Sequence, residues 1–238
     1  MLKFAPYAKT EVLVVSIVLI VVSAAALITG TVVGILSAGV VAVLGLPVPI
    51  FLLSFFRDPS RRADRESIPP DQMLAPADGK ITDITEVDHP RLGGKAVKIG
   101  IFLSVFNVHI NRSPCKATVA DVQYTPGKFL NALRAASAEL NESNEVLLEP
   151  KQDTGVGLPR QIIVRQIAGV LARRIVCDTK VGQMLDSGQR FGMIKFGSRT
   201  ELIVPKRENL KIIARVGQKV KAGSDVLVQW TADRASGG

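Results

Sequence analysis

Cysteine and histidine are nearly missing from the 238 residues, with two of each. The cysteines, Cys115 and Cys177, are too few for a disulfide scaffold and lack metal-ligand spacing, so they read as buried or incidental thiols of a reducing compartment. Two histidines leave no basis for a histidine-based metal cluster, and no metal site is expected. Aromatic residues make up only 5% and do not interleave with the basic ones. That excludes a stacking platform for single-stranded nucleic acid. The most telling absence is of charge, because no Asp, Glu, Lys or Arg occurs between Val12 and Phe56.

As one helix, that stretch would extend roughly 67 Å, about twice a hydrocarbon core of roughly 30 Å. It is too long for the apolar part of a signal peptide and does not end at a cleavage-like site. Two helices fit better, near 11–29 and 33–53, turning at Gly30-Thr31 and Gly34, with Pro47 and Pro49 disturbing the second. Lys3 and Lys9 precede the first; Arg57, Arg61, Arg62 and Arg65 follow the second. Basic residues at both outer ends favour a hairpin with both ends cytoplasmic. An interfacial helical hairpin is the alternative. Either arrangement places the chain at the cell membrane, on its cytoplasmic face. From Arg57 onward 28 Lys+Arg oppose 20 Asp+Glu. Beside an apolar stretch, that excess points to anionic lipid and not to nucleic acid. The expected division is a membrane-anchoring hairpin over 1–56 and a second domain over 57–238.

The second domain reads as mainly β, because short apolar runs alternate with Gly, Pro and Asp. Strands are expected at Gly79–Ile84, Ala96–Phe102, Ala117–Tyr124, Arg160–Ala168, Arg173–Cys177, Gly192–Phe196, Glu201–Val204 and Asp225–Trp230. Lys128–Leu140 has helical spacing at Phe129, Leu133, Ala136 and Leu140, whereas Asn141–Pro159 reads as a loop. An internal echo is present: Val181-Gly182-Gln183 with Gly188 recurs 35 residues later as Val216-Gly217-Gln218 with Gly223. Paired turns of this kind resemble small barrels of the lipoyl and biotinyl type. The expected fold is thus a barrel-like, lipoyl-hammerhead-like β domain with one or two short helices, behind a helical hairpin.

Three segments carry residues capable of chemistry. Pro76-Ala77-Asp78-Gly79 precedes a strand, and alone it is an ordinary Asp-Gly turn. Phe102 to Pro114 holds His109 between Asn107, Asn111 and Arg112; a lone histidine in an apolar strand is more often a satisfied core residue, but this setting is unusually polar. Phe191 to Leu202 contains Gly197-Ser198, by itself another turn.

Taken together, with Phe55-Phe56-Arg57-Asp58-Pro59 ahead of them, these landmarks resemble the compact form of the phosphatidylserine decarboxylases from Phe55 to Trp230. The resemblance implies a proenzyme cut between Gly197 and Ser198, with Ser198 becoming a covalent pyruvoyl group. That group would form a Schiff base with phosphatidylserine and serve as the electron sink for loss of carbon dioxide. It further implies that His109 is the base for Ser198, with Asp78 holding the histidine tautomer. The products would be phosphatidylethanolamine and carbon dioxide, and the two cut chains would stay associated. Anionic membrane lipid is the implied partner and a homodimer is allowed.

Many family members carry two histidines three residues apart; here Arg112 stands three residues after His109. One histidine would then serve both cleavage and protonation. Larger forms have Leu-Gly-Ser-Thr where this chain has Phe196-Gly197-Ser198-Arg199. Arg112 and Arg199 are candidates for binding substrate phosphate or carboxylate, against a bland reading as solvated surface charges. The rival functions are a pyruvoyl decarboxylase for another serine phospholipid, and a membrane-tethered biotinyl-like carrier with Lys195 as attachment lysine.

Overall fold

The structure is a computed structural model that describes residues 4–33, 47–64, 66–131, 139–152, 157–170, 174–195 and 198–231. The chain divides into two compact units, Met1–Pro59 and Ser60–Gly238.

In the first unit, helices α1 (Lys9–Val33) and α2 (Pro47–Phe55) pack on each other. Gly30 and Thr31 lie inside α1 and not in a turn, because the apolar run continues through them. The expected turn at Gly34 lies outside the described residues. Pro47 and Pro49 occupy the first turn of α2, where a missing N–H costs no helical hydrogen bond. The Ala5 amide donates to the Phe56 carbonyl at 2.8 Å, closing the unit's start onto its end. Among the described residues, no helix is long and apolar enough to cross a membrane. Leu13, Val14, Ile17, Val18, Ile20 and Val21 of α1 are nevertheless exposed.

The second unit is mainly β. Its strands are β1 (Gln72–Leu74), β2 (Gly79–His89), β3 (Gly94–Leu103), β4 (Ile110–Arg112), β5 (Ala117–Thr125), β6 (Ser143–Pro150) and β7 (Ile162–Ala168). Then follow β8 (Arg174–Cys177), β9 (Met184–Leu185), β10 (Arg190–Lys195), β11 (Ser198–Pro205), β12 (Leu210–Ile212), β13 (Lys219–Val220) and β14 (Val226–Trp230). Eight of them form a sheet, curled into a half-barrel, in the order β13-β2-β3-β11-β7-β6-β5-β9. Two three-stranded sheets, β1-β14-β12 and β4-β10-β8, complete the unit.

Alternation decides which residues fill the core. Val97, Ile99, Ile101 and Leu103 of β3 meet Leu202 and Val204 of β11, Ile162 and Val164 of β7, and Phe191, Leu227 and Trp230. Each large aliphatic buried there contributes about 1.5–3 kcal/mol.

The internal echo is structural. Gln183 and Gln218 each donate a backbone N–H to the residue three back, Lys180 at 3.0 Å and Arg215 at 3.1 Å. Each also accepts, through its side-chain oxygen, from that same residue's amide. Gly182 and Gly217 sit at φ of 83° and 89°, conformations that favour glycine. The two turns lead into β9 and β13, the opposite edges of the eight-stranded sheet.

Two further expectations are corrected. The segment read as a loop contains β6, which pairs with both β5 and β7. Its polar start misled: Ser143 and Asn144 are buried, and Asn144 donates to Gln166 Oε1 at 3.1 Å. Nor is Lys128–Leu140 one helix. The Lys128 amide donates to the Leu140 carbonyl at 2.8 Å, whereas helical ends that far apart would stand roughly 18 Å from each other. Residues 132–138 themselves lie outside the described residues.

Candidate active site

Ser198 opens β11, the strand flanked by β3 and β7, with Leu103 opposite it on one side and Ala168 on the other. It is fully buried, and among the described residues its Oγ has no hydrogen-bond partner. A buried hydroxyl with no partner among the described residues is a candidate for chemistry. Gly197 and Phe196, on the other side of the expected cut, lie outside the described residues.

The chain leaving β3 at Leu103 turns at once. Asn107 Oδ1 accepts from the Ser104 amide at 2.9 Å and from Ser104 Oγ at 2.8 Å, and the Asn107 amide donates to the Ser104 carbonyl at 2.9 Å. That closed turn delivers His109 to the start of β4. There the ladder to β10 continues, with the Ile194 amide donating to the His109 carbonyl at 3.2 Å. His109 is fully buried. Its Nδ1 lies 2.9 Å from the Asn107 carbonyl oxygen. A carbonyl only accepts, so Nδ1 carries the proton and, in the neutral ring, Nε2 keeps the lone pair.

Strand parity relates the two residues. Asn111 follows His109 by two and Thr200 follows Ser198 by two, and Asn111 Nδ2 donates to Thr200 Oγ1 at 3.0 Å. Gln166 Nε2 donates to Asn111 Oδ1 at 2.8 Å, extending the chain of buried amides to β7. Residues two apart on an extended strand share a face, so this bond aligns the His109 strand with the Ser198 strand.

Asp78 is placed otherwise than expected. Its carboxylate accepts from Arg61 Nη2 at 2.9 and 2.7 Å and from the Ala222 amide at 2.8 Å. The expectation that Asp78 holds the His109 tautomer is therefore corrected: the Asn107 carbonyl does so. The Asp78 segment still borders β4, since the Arg112 amide donates to the Pro76 carbonyl at 2.9 Å. Arg61, assigned from sequence to the basic cluster beside the membrane stretch, is only 6% exposed.

Both candidate arginines are buried. Arg112 Nη1 donates to Asp64 Oδ1 at 2.9 Å and to the Gly188 carbonyl at 3.0 Å. Burial pushes the Asp64 carboxyl up, but the Arg61 amide and the Arg112 charge outweigh it and hold it below its ordinary value. Arg199 is 0% exposed; its Nε donates to Glu201 Oε1 at 2.8 Å, Nη1 to Thr82 Oγ1 at 2.7 Å and Nη2 to Asp83 Oδ1 at 2.7 Å. The solvated-charge reading is thus replaced by buried ion pairing at both positions. Lys195 lies within β10 opposite Arg174 and is 7% exposed, which does not suit an attachment lysine at a hairpin tip. Cys115 is buried and its thiol pushed up to about 12 by that burial, so it supplies no thiolate.

With this geometry in place, comparison with known proteins is decisive. The family profile described as phosphatidylserine decarboxylase matches residues 48–228. The chain belongs to the phosphatidylserine decarboxylase family. It is 50% identical over 190 residues to the phosphatidylserine decarboxylase proenzyme of Rhodopirellula baltica, covering 78% of this chain and 76% of that one. Proteins of the same name from Chlorobium phaeobacteroides BS1 and Cupriavidus pinatubonensis are 43% and 42% identical over 178 and 183 residues. Those matches cover 75% and 76% of this chain, and 78% and 79% of the relatives.

Sequence reading of this family member missed Arg61, Asn107 in its carbonyl role, and the Gln166–Asn111–Thr200 chain. Asn107 and Asn111 did stand out as polar residues in an apolar run. Gln166 and Arg61 carried no signal, because only the fold brings them to their partners.

Proposed function

We propose that the chain converts Ser198 into a pyruvoyl group and uses it to decarboxylate phosphatidylserine to phosphatidylethanolamine. The observation that carries this reading is the buried Ser198 Oγ at the head of β11, which has no hydrogen-bond partner among the described residues, in a chain of this family. His109 Nε2 takes the hydroxyl proton as Oγ attacks the carbonyl carbon of Gly197. The peptide C–N bond breaks, the Ser198 nitrogen is protonated, and an ester joins the two residues. Loss of the Ser198 Cα proton and of the Cβ–Oγ bond frees a Gly197 carboxylate and leaves dehydroalanine. That end tautomerises, takes up water and releases ammonia.

When formed, the pyruvoyl carbonyl supplies the electron sink that decarboxylation requires. In this reading His109 also returns a proton to the product, supported by its burial near the head of β4. Glycine before the serine leaves the attacked carbonyl open.

Attachment to the cytoplasmic face of the cell membrane belongs to the same proposal. Its support is the charge-free stretch 12–56 and the exposed apolar side chains of α1, an apolar surface of the sort that seeks lipid. A helical hairpin as anchor, anionic lipid as partner, and a lipoyl-hammerhead-like form for the β domain complete the reading. The mass of the purified chain tests its core. Two pieces, 1–197 and 198–238, with the second lacking an amino terminus, are expected; a single uncut, active chain would refute it.

A further inference from the structure

Arg199 is the first residue beyond the proposed pyruvoyl. Its guanidinium runs across β3 to β2 on the face of the sheet opposite Ser198, and three separate side chains hold it. Two features of the sequence make that reach possible. Gly100 is the crossing point: a Cβ there would overlap Nη2 and Cζ of Arg199 and lie 2.7 Å from Asp83 Oδ2. The register shift between Ile81 and Asp83 then brings both Thr82 and Asp83 within bonding range. Thr82 Oγ1 in turn donates to Asp83 Oδ2 at 2.7 Å. Beyond Glu201 the pairing continues to Arg165 at 3.8 Å on β7, and from Arg165 to Glu145 at 3.5 Å on β6.

Cleavage between 197 and 198 changes what these bonds join. Strand β11 then belongs to the short chain, while its neighbours β3 and β7 belong to the long one. Residue 198 becomes a terminus, loses its amide nitrogen as ammonia, and gives up any ladder bond which that nitrogen made. Chain ends fray unless they are tied down. We propose that Arg199 is a positioning residue which, through Thr82, Asp83 and Glu201 and over Gly100, clamps the cut end of β11 so that the pyruvoyl carbonyl keeps its place for turnover. This rests on the pyruvoyl reading and adds a role for a residue that the reaction scheme leaves idle.

The test uses the full chain with Arg199→Lys, Asp83→Asn and Gly100→Ala, the last altering no charge. Each variant is expected to be cut to the same two pieces. With a short-chain, water-soluble phosphatidylserine, kcat should fall tenfold or more while KM stays within about twofold, because a misplacement near 1 Å costs up to about 10²-fold. Arg199→Met should fall further than Arg199→Lys, since lysine keeps the charge but not the fork. Cut Gly100→Ala enzyme with wild-type kcat would overturn the clamp. So would a raised KM at unchanged kcat, which would make Arg199 a substrate ligand after all. If the arginine variants fail to fold, Asp83→Asn and Gly100→Ala decide between the same outcomes. An uncut wild-type chain would instead count against the pyruvoyl reading itself.

Discussion

Asn111 Nδ2 donates to Thr200 Oγ1 at 3.0 Å, with both side chains fully buried. The bond ties the strand that carries His109 to the strand that carries Ser198, one same-face step beyond each. Removing it should therefore disturb maturation as well as stability. Asn111→Ala takes the donor from Thr200 Oγ1 and leaves Gln166 Nε2 with the longer bond to the Val176 carbonyl at 3.3 Å; it is expected to cost about 1–3 kcal/mol, with slower appearance of the 198–238 piece. Thr200→Val should act similarly, and the double variant should cost less than the sum. Urea midpoints and a mass-spectrometric time course read both quantities. Wild-type stability and maturation in Asn111→Ala would discard this role.

Ser198 supplies the sharpest chemical comparison. Ser198→Ala has no hydroxyl and should remain one inactive chain. Ser198→Cys keeps a nucleophile with a different leaving group, so slow, incomplete cutting is expected. The wild-type short piece should resist amino-terminal sequencing and be labelled on cyanoborohydride reduction with phosphatidylserine. Decarboxylation by uncut Ser198→Ala would end the pyruvoyl account.

His109→Ala should slow cutting by about 10²-fold or more, the usual worth of a positioned base. The control is His89, the last residue of β2, whose Nε2 lies 3.9 Å from Glu145 Oε1. His89→Ala should mature normally. Equal maturation rates in the two variants would remove His109 from the mechanism.

The ion pairs beside Ser198 carry a pH signature. Burial pushes the Asp83 carboxyl up, but hydrogen bonds from Arg199 and Thr82 and the charges of Arg199 and Lys98 outweigh it, and the net shift is downward. A depressed native value means that the unfolded chain binds more protons between that value and the ordinary one near 3.9. The stabilisation is therefore complete above pH of about 4 and is lost as pH falls through the native value. Asp83→Asn should lower stability at pH 7 and flatten its decline below about pH 4. Urea midpoints from pH 2 to 7 will show this; parallel curves for the two proteins would refute it.

Removing residues 1–53 should release the protein into the soluble fraction with the β-rich unit still folded, by circular dichroism and maturation. A truncated chain that stays in the membrane pellet through a high-salt wash would place the anchor elsewhere.

Much was legible along the chain because it depends on near neighbours. Alternating apolar residues marked the eight expected strands, and Gly182 and Gly217 marked turns that need positive φ. The order of Asp78, His109 and Gly197-Ser198 pointed to a family and a reaction. Strand β6 was hidden because polarity reads as exposure until a partner such as Gln166 is known to satisfy it.

What each candidate side chain touches depended on pairing across long loops. Local sequence could not say that Asp78 would be taken by Arg61, that the Asn107 carbonyl would set the His109 tautomer, or that Arg199 would cross Gly100 to reach Asp83. A charge is recognisable from its side chain alone. Whether it meets water, substrate or an opposite charge is settled only when the sheet closes and desolvation makes its buried partners decisive.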